Sequence, residues 1–200
     1  MNTLILATRN AGKLVELKTI LSEAELPYDL VGADAYPHIP DVPETGTTFA
    51  ANALLKAHAL ARATGLPAIA DDSGISVDVL SGAPGIFSAR WAGRHGDDEA
   101  NWRLLLAQLQ DIADPHRTAR YVCAAALALP DGTERVTFGE LPGVLRTGPE
   151  GTGGFGYDPV FQPLGETVTA AQLDVERKNA ISHRGIAFRG LVPHIRELAG

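Results

Sequence analysis

Ile69-Ala70-Asp71-Asp72-Ser73-Gly74 closes a short apolar run, Pro67 to Ala70, with two adjacent carboxylates and an expected Ser-Gly turn, before Ile75-Ser76-Val77-Asp78-Val79 resumes an alternating pattern. Acids are thus expected at the end of a strand. Side chains alternate across a strand, so Asp71 and Asp72 are expected to point to opposite faces and to do different jobs. Taken alone, Asp-Asp-Ser-Gly also suits a solvated turn. The segments around it carry the distinction.

Upstream, Thr3-Leu4-Ile5-Leu6-Ala7 reads as a buried first strand. Thr8-Arg9-Asn10-Ala11-Gly12-Lys13 follows, then an amphipathic helix with Leu14, Leu17 and Leu21 on one face. Pro27 to Val31 reads as a second strand. The Pro-, Gly- and Asp-rich stretch from Gly32 to Thr48 is a loop long enough to carry function. Thr47 or Thr48 caps an Ala- and Leu-rich helix expected from Phe49 to Ala63 and stopped at Gly65.

Downstream, Gly82-Ala83-Pro84-Gly85 marks a turn, with an irregular stretch to Gly96. Asp97-Asp98-Glu99 open a helix carrying Trp102, Leu105, Leu109 and Ile112 at helical spacing. Tyr121 to Leu129, a Pro130-Asp131-Gly132 turn and Arg135 to Glu140 predict a hairpin in an antiparallel part of the sheet. Ser182 to Leu198 places Phe188, Leu191, Ile195 and Leu198 on one helical stripe, with Pro193 expected to kink or interrupt it.

The totals narrow the function class. Two hundred residues with 45% hydrophobic and 20% charged content suit one domain, or two closely joined lobes, with a substantial core. A net charge of −7 argues against a nucleic-acid partner, so an anionic ligand needs a local basic pocket. The single cysteine, Cys123, excludes a disulfide within the chain and a cysteine-based zinc site, and its apolar surroundings suggest a buried thiol. No apolar run approaches membrane-spanning length and no secretory leader is read, so a cytoplasmic location is expected and a membrane partner is not.

Two helix starts break local rules. With Asn10 as cap, Lys13 takes the third helical position, where a capping box favours Glu or Gln and the helix dipole disfavours a cation. A Ser182 cap likewise puts His183 and Arg184 in the first turn of the last helix. An anion bound at those N-termini would compensate both, and exposed cations in water would cost only about 0.3–1 kcal/mol each. Thr8 to Lys13 is neither a Walker loop nor a dinucleotide fingerprint, though it has their strand, turn and helix placement. Lys56 lies one turn from Asn52 on the second helix and can reach the same pocket. In Gly153-Gly154-Phe155-Gly156-Tyr157-Asp158, an aromatic ring flanked by glycines leaves room for a flat ligand, whose stacking contributes about 1–3 kcal/mol. Phe155 as a core residue between two bends is the alternative.

With these pieces in one order, the chain resembles the noncanonical purine nucleoside triphosphate pyrophosphatases, the inosine/xanthosine triphosphate pyrophosphatase family. The motifs that carry the resemblance are Thr8 to Lys13, Glu44-Thr45-Gly46, Ala70 to Gly74, Gly82 to Gly85, Gly151 to Pro159, and Lys178 with Ser182-His183-Arg184. It implies an α/β fold, a long curved mixed β-sheet flanked by helices, with two lobes and a nucleotide cleft between them. It implies a cytoplasmic homodimer that uses Mg²⁺ to convert ITP, dITP or XTP to the monophosphate and pyrophosphate. By resemblance, Asp72 is the proton acceptor and a metal ligand, Glu44 a second metal ligand, and Ser73 a substrate contact. Thr8, Arg9, Asn10, Ala11, Gly12 and Lys13 form the phosphate loop, and Lys56 is a further phosphate contact. Phe155, Gly156, Tyr157, Asp158, Lys178, His183 and Arg184 supply the remaining nucleotide contacts. Relatives often carry two acids before the Thr-Gly, whereas Pro43 precedes Glu44 here, which leaves the metal on fewer carboxylates or on Asp71.

The chemistry expected of such a set is hydrolysis between the α- and β-phosphates, with Asp72 activating a water and Lys13, Lys56 and Mg²⁺ offsetting charge on the pyrophosphate. Hypoxanthine and xanthine carry an acceptor oxygen at C6 where adenine carries an amino donor. Donors from His183 and Arg184 would therefore favour the first two. Rivals are a nucleotide-sensing module that binds without hydrolysis, and a phosphatase with an Asp nucleophile, whose Asp-x-Asp order is absent.

Overall fold

The computed structural model describes residues 2–198. Among these residues six strands form one mixed sheet: β1 (Asn2–Leu6), β2 (Tyr28–Gly32), β3 (Ala68–Val77), β4 (Thr118–Ala128), β5 (Glu134–Leu145) and β6 (Phe161–Pro163), in the order β2-β1-β3-β4-β5-β6. β1 runs parallel to both β2 and β3, while β6 is antiparallel to β5. The link from β4 to β5, closed by Leu129 N–H donating to Thr133 O at 2.8 Å, is too short for a parallel crossover, so this pair is the antiparallel hairpin expected. Among the described residues five α-helices complete the fold: α1 (Ala11–Glu23), α2 (Phe49–Thr64), α3 (Asp98–Gln108), α4 (Val175–Ile181) and α5 (His183–Glu197). Among the described residues no helix is long and apolar enough to cross a membrane.

By its contacts the chain divides into two compact units: Met1–Asp72 with Cys123–Gly139 and His183–Gly200, and Ser73–Val122 with Glu140–Ser182. The first holds two cores on the two faces of its strands. Leu4, Leu6, Ile69 and Cys123 pack with Leu17 and Leu21 of α1 and Phe188, Leu191 and Ile195 of α5. Ile5, Ala68, Ala70 and Ala124 pack with Ala53, Ala57 and Leu60 of α2. The second unit buries Ile75, Val77, Leu105, Leu109, Tyr157 and Phe161 together. Cys123 is buried, as its apolar neighbours suggested.

The main departure from the sequence expectation lies in the central strand. Asp71, Asp72, Ser73 and Gly74 do not turn; they lie inside β3, which is continuous from Ala68 to Val77. The strand instead ends one step later in a 3₁₀ turn, Asp78–Leu80. An acid-rich tetrad is tolerated mid-strand because both carboxylates meet cations, which offsets the cost of burying them.

Pro193 does not interrupt the last helix, since apolar residues on both sides of it, Leu191 and Ile195, are anchored in one core. The three-residue strand β6 and the seven-residue helix α4 had no periodic signal to announce them. The first two strands and α2 shift by a single residue, whereas β4 begins three residues earlier than expected, β5 runs five residues further, and α3 stops at Gln108, short of Ile112. Thr48 caps α2 by accepting from Ala51 N at 3.1 Å, and Gly65 ends it at φ +70°.

Candidate active site

Alternation along β3 distributes its acids. Ile69 belongs to the core under α1 and α5, and Ala68 and Ala70 to the core under α2. Period two therefore sends Asp71 to the α1/α5 face and Asp72 to the α2 face. Their partners agree.

On the first face, Asn10 caps α1 as expected, its Oδ1 accepting from Gly12 N at 2.9 Å and Lys13 N at 3.3 Å, while Thr8 Oγ1 accepts from Asn10 N. Lys13 then reaches β3: its ammonium stands 2.9 and 2.7 Å from the two carboxylate oxygens of Asp71. Arg184, in the first turn of α5, approaches the same carboxylate at 3.4 Å and Glu16 at 3.5 Å. The two basic helix starts are thus compensated within the chain, and both share Asp71. Burial works to raise the Asp71 carboxyl, but Lys13 and Arg184 outweigh it and hold the group well below the ordinary carboxylate range. For Arg184 too, burial opposes the charge, and Asp71 with Glu16 overrides it. His183 is the first residue of α5. Arg9 turns the other way, onto Asp41 at 3.2 Å and Ile39 O at 3.4 Å in the loop before α2. Ala11 contributes the first residue of α1.

On the second face, Asn52 and Lys56 of α2, one turn apart, both meet Asp72: Asn52 Nδ2 donates to Oδ2 at 3.1 Å, and Lys56 Nζ stands 3.6 Å from Oδ1. Lys56 also donates to Glu44 Oε1 at 2.9 Å. Asn52 Oδ1 accepts from Gly46 N at 2.8 Å, which pins the Glu44-Thr45-Gly46 bend against α2. Any side chain at Gly46 would collide with Ala51 and Asn52, so glycine there sets where Glu44 sits. Burial raises the Asp72 carboxyl; Lys56 opposes that, and the nearby Glu44 charge adds to it. Burial alone would depress the Lys56 ammonium, and Asp72 and Glu44 more than reverse it.

The donor chemistry of this cluster fits a hard divalent cation. Among the described residues no three His, Cys, Asp or Glu side chains gather into a metal cage. Two carboxylates, from Glu44 and Asp72, do converge on one positive charge, and Mg²⁺ bound mainly through phosphates and waters needs no more from the protein. Asp71 lies across the strand, occupied by Lys13 and Arg184.

In the second unit the glycine-rich loop exposes its ring. Phe155 is 60% exposed, which excludes the core alternative. Asp158, buried, accepts from Phe155 N at 2.8 Å, from Lys178 Nζ at 2.5 Å and from Tyr121 Oη at 3.2 Å. Lys178 on α4 also stands 4.8 Å from the Phe155 ring centroid, a cation–π contact. A Cβ at Gly154, whose φ is +76°, would overlap the Asp158 carboxylate and the Lys178 ammonium, so this pairing requires glycine. Tyr157 is buried and donates to Ser88 O at 2.8 Å. Ser73 lies half-buried in β3.

The sequence offers Asp71 as an alternative metal ligand, whereas the structure pairs it with Lys13 and Arg184; Asn52 and Tyr121 have no assigned role there. The alternation of β3 contained the signal for Asp71, and the spacing of Asn52 and Lys56 contained that for Asn52. Nothing local marked Tyr121.

A model of the Ham1 family matches residues 4–194. The chain is 75% identical to a dITP/XTP pyrophosphatase of Streptomyces coelicolor over 200 residues, all of both chains, and 54% identical to one of Nocardia farcinica, covering 100% of this chain and 97% of that one. Among solved structures it is similar to a HAM1 protein from Coxiella burnetii, with a TM-score of 0.91 at 38% identity, over 98% of this chain and 100% of that one. It is also similar to a nucleoside-triphosphatase, dITP/XTP pyrophosphatase, from Mycobacterium abscessus, with a TM-score of 0.82 at 48% identity, over 97% and 100%.

Proposed function

This chain belongs to the Ham1 family, and we propose that it hydrolyses the triphosphates of noncanonical purines, ITP, dITP and XTP, to the monophosphate and pyrophosphate. The observation that carries the reading is the division of labour across β3. Asp72, with Glu44, forms an acidic pair around Lys56, while Asp71 on the opposite face aligns Lys13 and Arg184. The names of the relatives point to the same substrates.

Asp72 is the general base. Its carboxyl, raised by burial, is nearer in basicity to a working pH than an exposed aspartate, and Asn52 fixes one oxygen so that the other can take a proton from water. That water attacks the α-phosphorus in line and the α–β bridging oxygen departs with pyrophosphate. Lys56 and Lys13 offset the charge that develops on the phosphates. Glu44 and Asp72 would hold Mg²⁺, which supplies Lewis-acid stabilisation of phosphate charge when bound.

The backbone and side chains of Thr8, Arg9, Asn10, Ala11 and Gly12, at the positive end of the α1 dipole, receive phosphate, and Ser73 adds a contact. Phe155 stacks on the purine, with Gly156, Tyr157, Asp158 and Lys178 shaping its seat. His183 and Arg184 offer donors to the C6 oxygen of hypoxanthine or xanthine. A site of that kind rejects a base lacking the acceptor by roughly 10⁴-fold. The same reading includes a homodimer in the cytoplasm. The buried thiol of Cys123 suits a reducing compartment, and half-exposed Phe87 offers apolar surface for a second copy.

A panel of nucleotides assayed for pyrophosphate with and without Mg²⁺ tests the function. Release from dITP, ITP and XTP but not ATP is expected, and only in the presence of the metal. Orthophosphate as the first product, or binding with no turnover, would refute it.

A further inference from the structure

Two consecutive peptide N–H groups of the glycine-rich loop end on carboxylates from different parts of the chain. That of Phe155 donates to Asp158 Oδ2 at 2.8 Å, inside its own turn. That of Gly156 donates to Asp98 Oδ2 at 2.6 Å, across 58 positions of sequence. Asp98 is the first residue of α3, and its own helix does not use it as a cap, because Asp97 Oδ1 accepts from Ala100 N at 3.2 Å. The carboxylate sits in a first turn, where the helix dipole favours it, and directs its acceptor to a different segment.

Phe155 needs such a tether. Its neighbours Gly154 and Gly156, at φ +76° and +61°, have no side chains with which to hold the backbone, and unrestrained glycines have the most freedom to lose. A short hydrogen bond to a carboxylate is roughly twice as strong as a neutral one. The ring itself is largely exposed and is met by Lys178, so the peptide that carries it shares with that cation in setting its attitude.

We propose that Asp98 is a positioning residue for the purine: by fixing the Phe155–Gly156 peptide, it holds the Phe155 ring in the orientation in which a base stacks. This rests on the assignment of Phe155 as the base platform. The effect belongs to base affinity and leaves the reaction at phosphorus untouched.

With dITP as substrate, Asp98→Ala is expected to raise KM about tenfold while kcat changes by less than about twofold, since the ring must then be ordered at each binding event. Asp98→Asn, whose amide oxygen still accepts an N–H, restores most of the loss. Ki for IMP rises with KM, and Ki for tripolyphosphate, which has no base, stays at the wild-type value. Glu99→Ala, which removes the neighbouring acid paired with Arg103, leaves all three unchanged. If Asp98→Ala does not fold, Asp98→Glu displaces the carboxylate by one methylene and gives a smaller rise in KM with the same split. An equal rise in the tripolyphosphate Ki overturns the proposal. So does an unchanged KM in Asp98→Ala while Phe155→Ala raises it, an outcome that leaves the platform standing. Phe155→Ala with an unchanged KM removes the platform and the proposal together. Pyrophosphate release by the wild-type protein tests the activity separately.

Discussion

Lys13 and Asp71, 58 positions apart, meet with the ammonium 2.9 and 2.7 Å from the two carboxylate oxygens, and Arg184 from the other end of the chain shares that carboxylate at 3.4 Å. One buried acid therefore orients a cation from each of two helix starts. Each helix dipole disfavours its own cation, and the strand carboxylate supplies the compensation.

Replacing Asp71 by Asn leaves two partly buried cations facing a neutral group, and breaking a buried pair in this way costs about 3 kcal/mol or more. Chemical denaturation at neutral pH should show that loss. The folded-state carboxyl of Asp71 lies below its unfolded value of 3.8, so its contribution is fully present above that value and is lost as pH falls toward the folded one. Stability of the wild-type protein should accordingly drop on acidification below about pH 4 more steeply than that of Asp71→Asn. Parallel curves would show that Asp71 is not the titrating group.

Asp72 carries the opposite sign. Burial lifts its carboxyl above the ordinary 3.8, so the acid limb of kcat/KM is expected above that value, with activity lost as Asp72 takes up its proton. Asp72→Asn should reduce kcat by about 10² to 10⁴-fold and remove the limb from what remains. Normal turnover in that variant with metal present would end its role as base.

Lys56 opposes the rise at Asp72, and its ammonium lies 3.6 Å from that carboxylate and 2.9 Å from Glu44. Lys56→Met removes the charge while keeping most of the aliphatic stem. The acid limb should move to higher pH, because the neutral form of Asp72 is no longer disfavoured by a neighbouring cation. A limb that stays in place, read from pyrophosphate release across pH, would mean that the ammonium does not act on Asp72 in the working enzyme.

Arg184→Ala should weaken turnover of ITP much more than residual turnover of ATP, narrowing a discrimination that a hydrogen-bonded base site can set at roughly 10⁴-fold. Steady-state kcat/KM for both nucleotides decides it. Equal losses would assign Arg184 to the phosphates alone, alongside Lys13.

Much of this arrangement was legible in the primary structure. Asn10 and Thr48 announced their helices by local hydrogen-bonding chemistry, and each caps as its residue type suggests. Glycines around Phe155 left two readings, an accessible ring or a core residue between bends, and the ring is exposed. What misled was also local. Asp-Asp-Ser-Gly has the composition of a turn, yet it is strand, because the energy of a carboxylate in a sheet depends on charges that arrive from elsewhere. Pro193 has the composition of a break, yet α5 continues, because the core on both sides holds it.

The chain's order of residues determined which groups were available and on which face of each element they would lie, since periods of 2.0 and 3.6 and the capping rules act over a few positions. Tertiary structure alone decided who meets whom: Asp71 with Lys13 and Arg184, Asp72 with Asn52 and Lys56, Asp98 with Gly156. Those pairings span from tens of residues to more than a hundred, and no short-range preference encodes them. They form because a buried charge or an unpaired peptide is costly until packing brings its complement within reach.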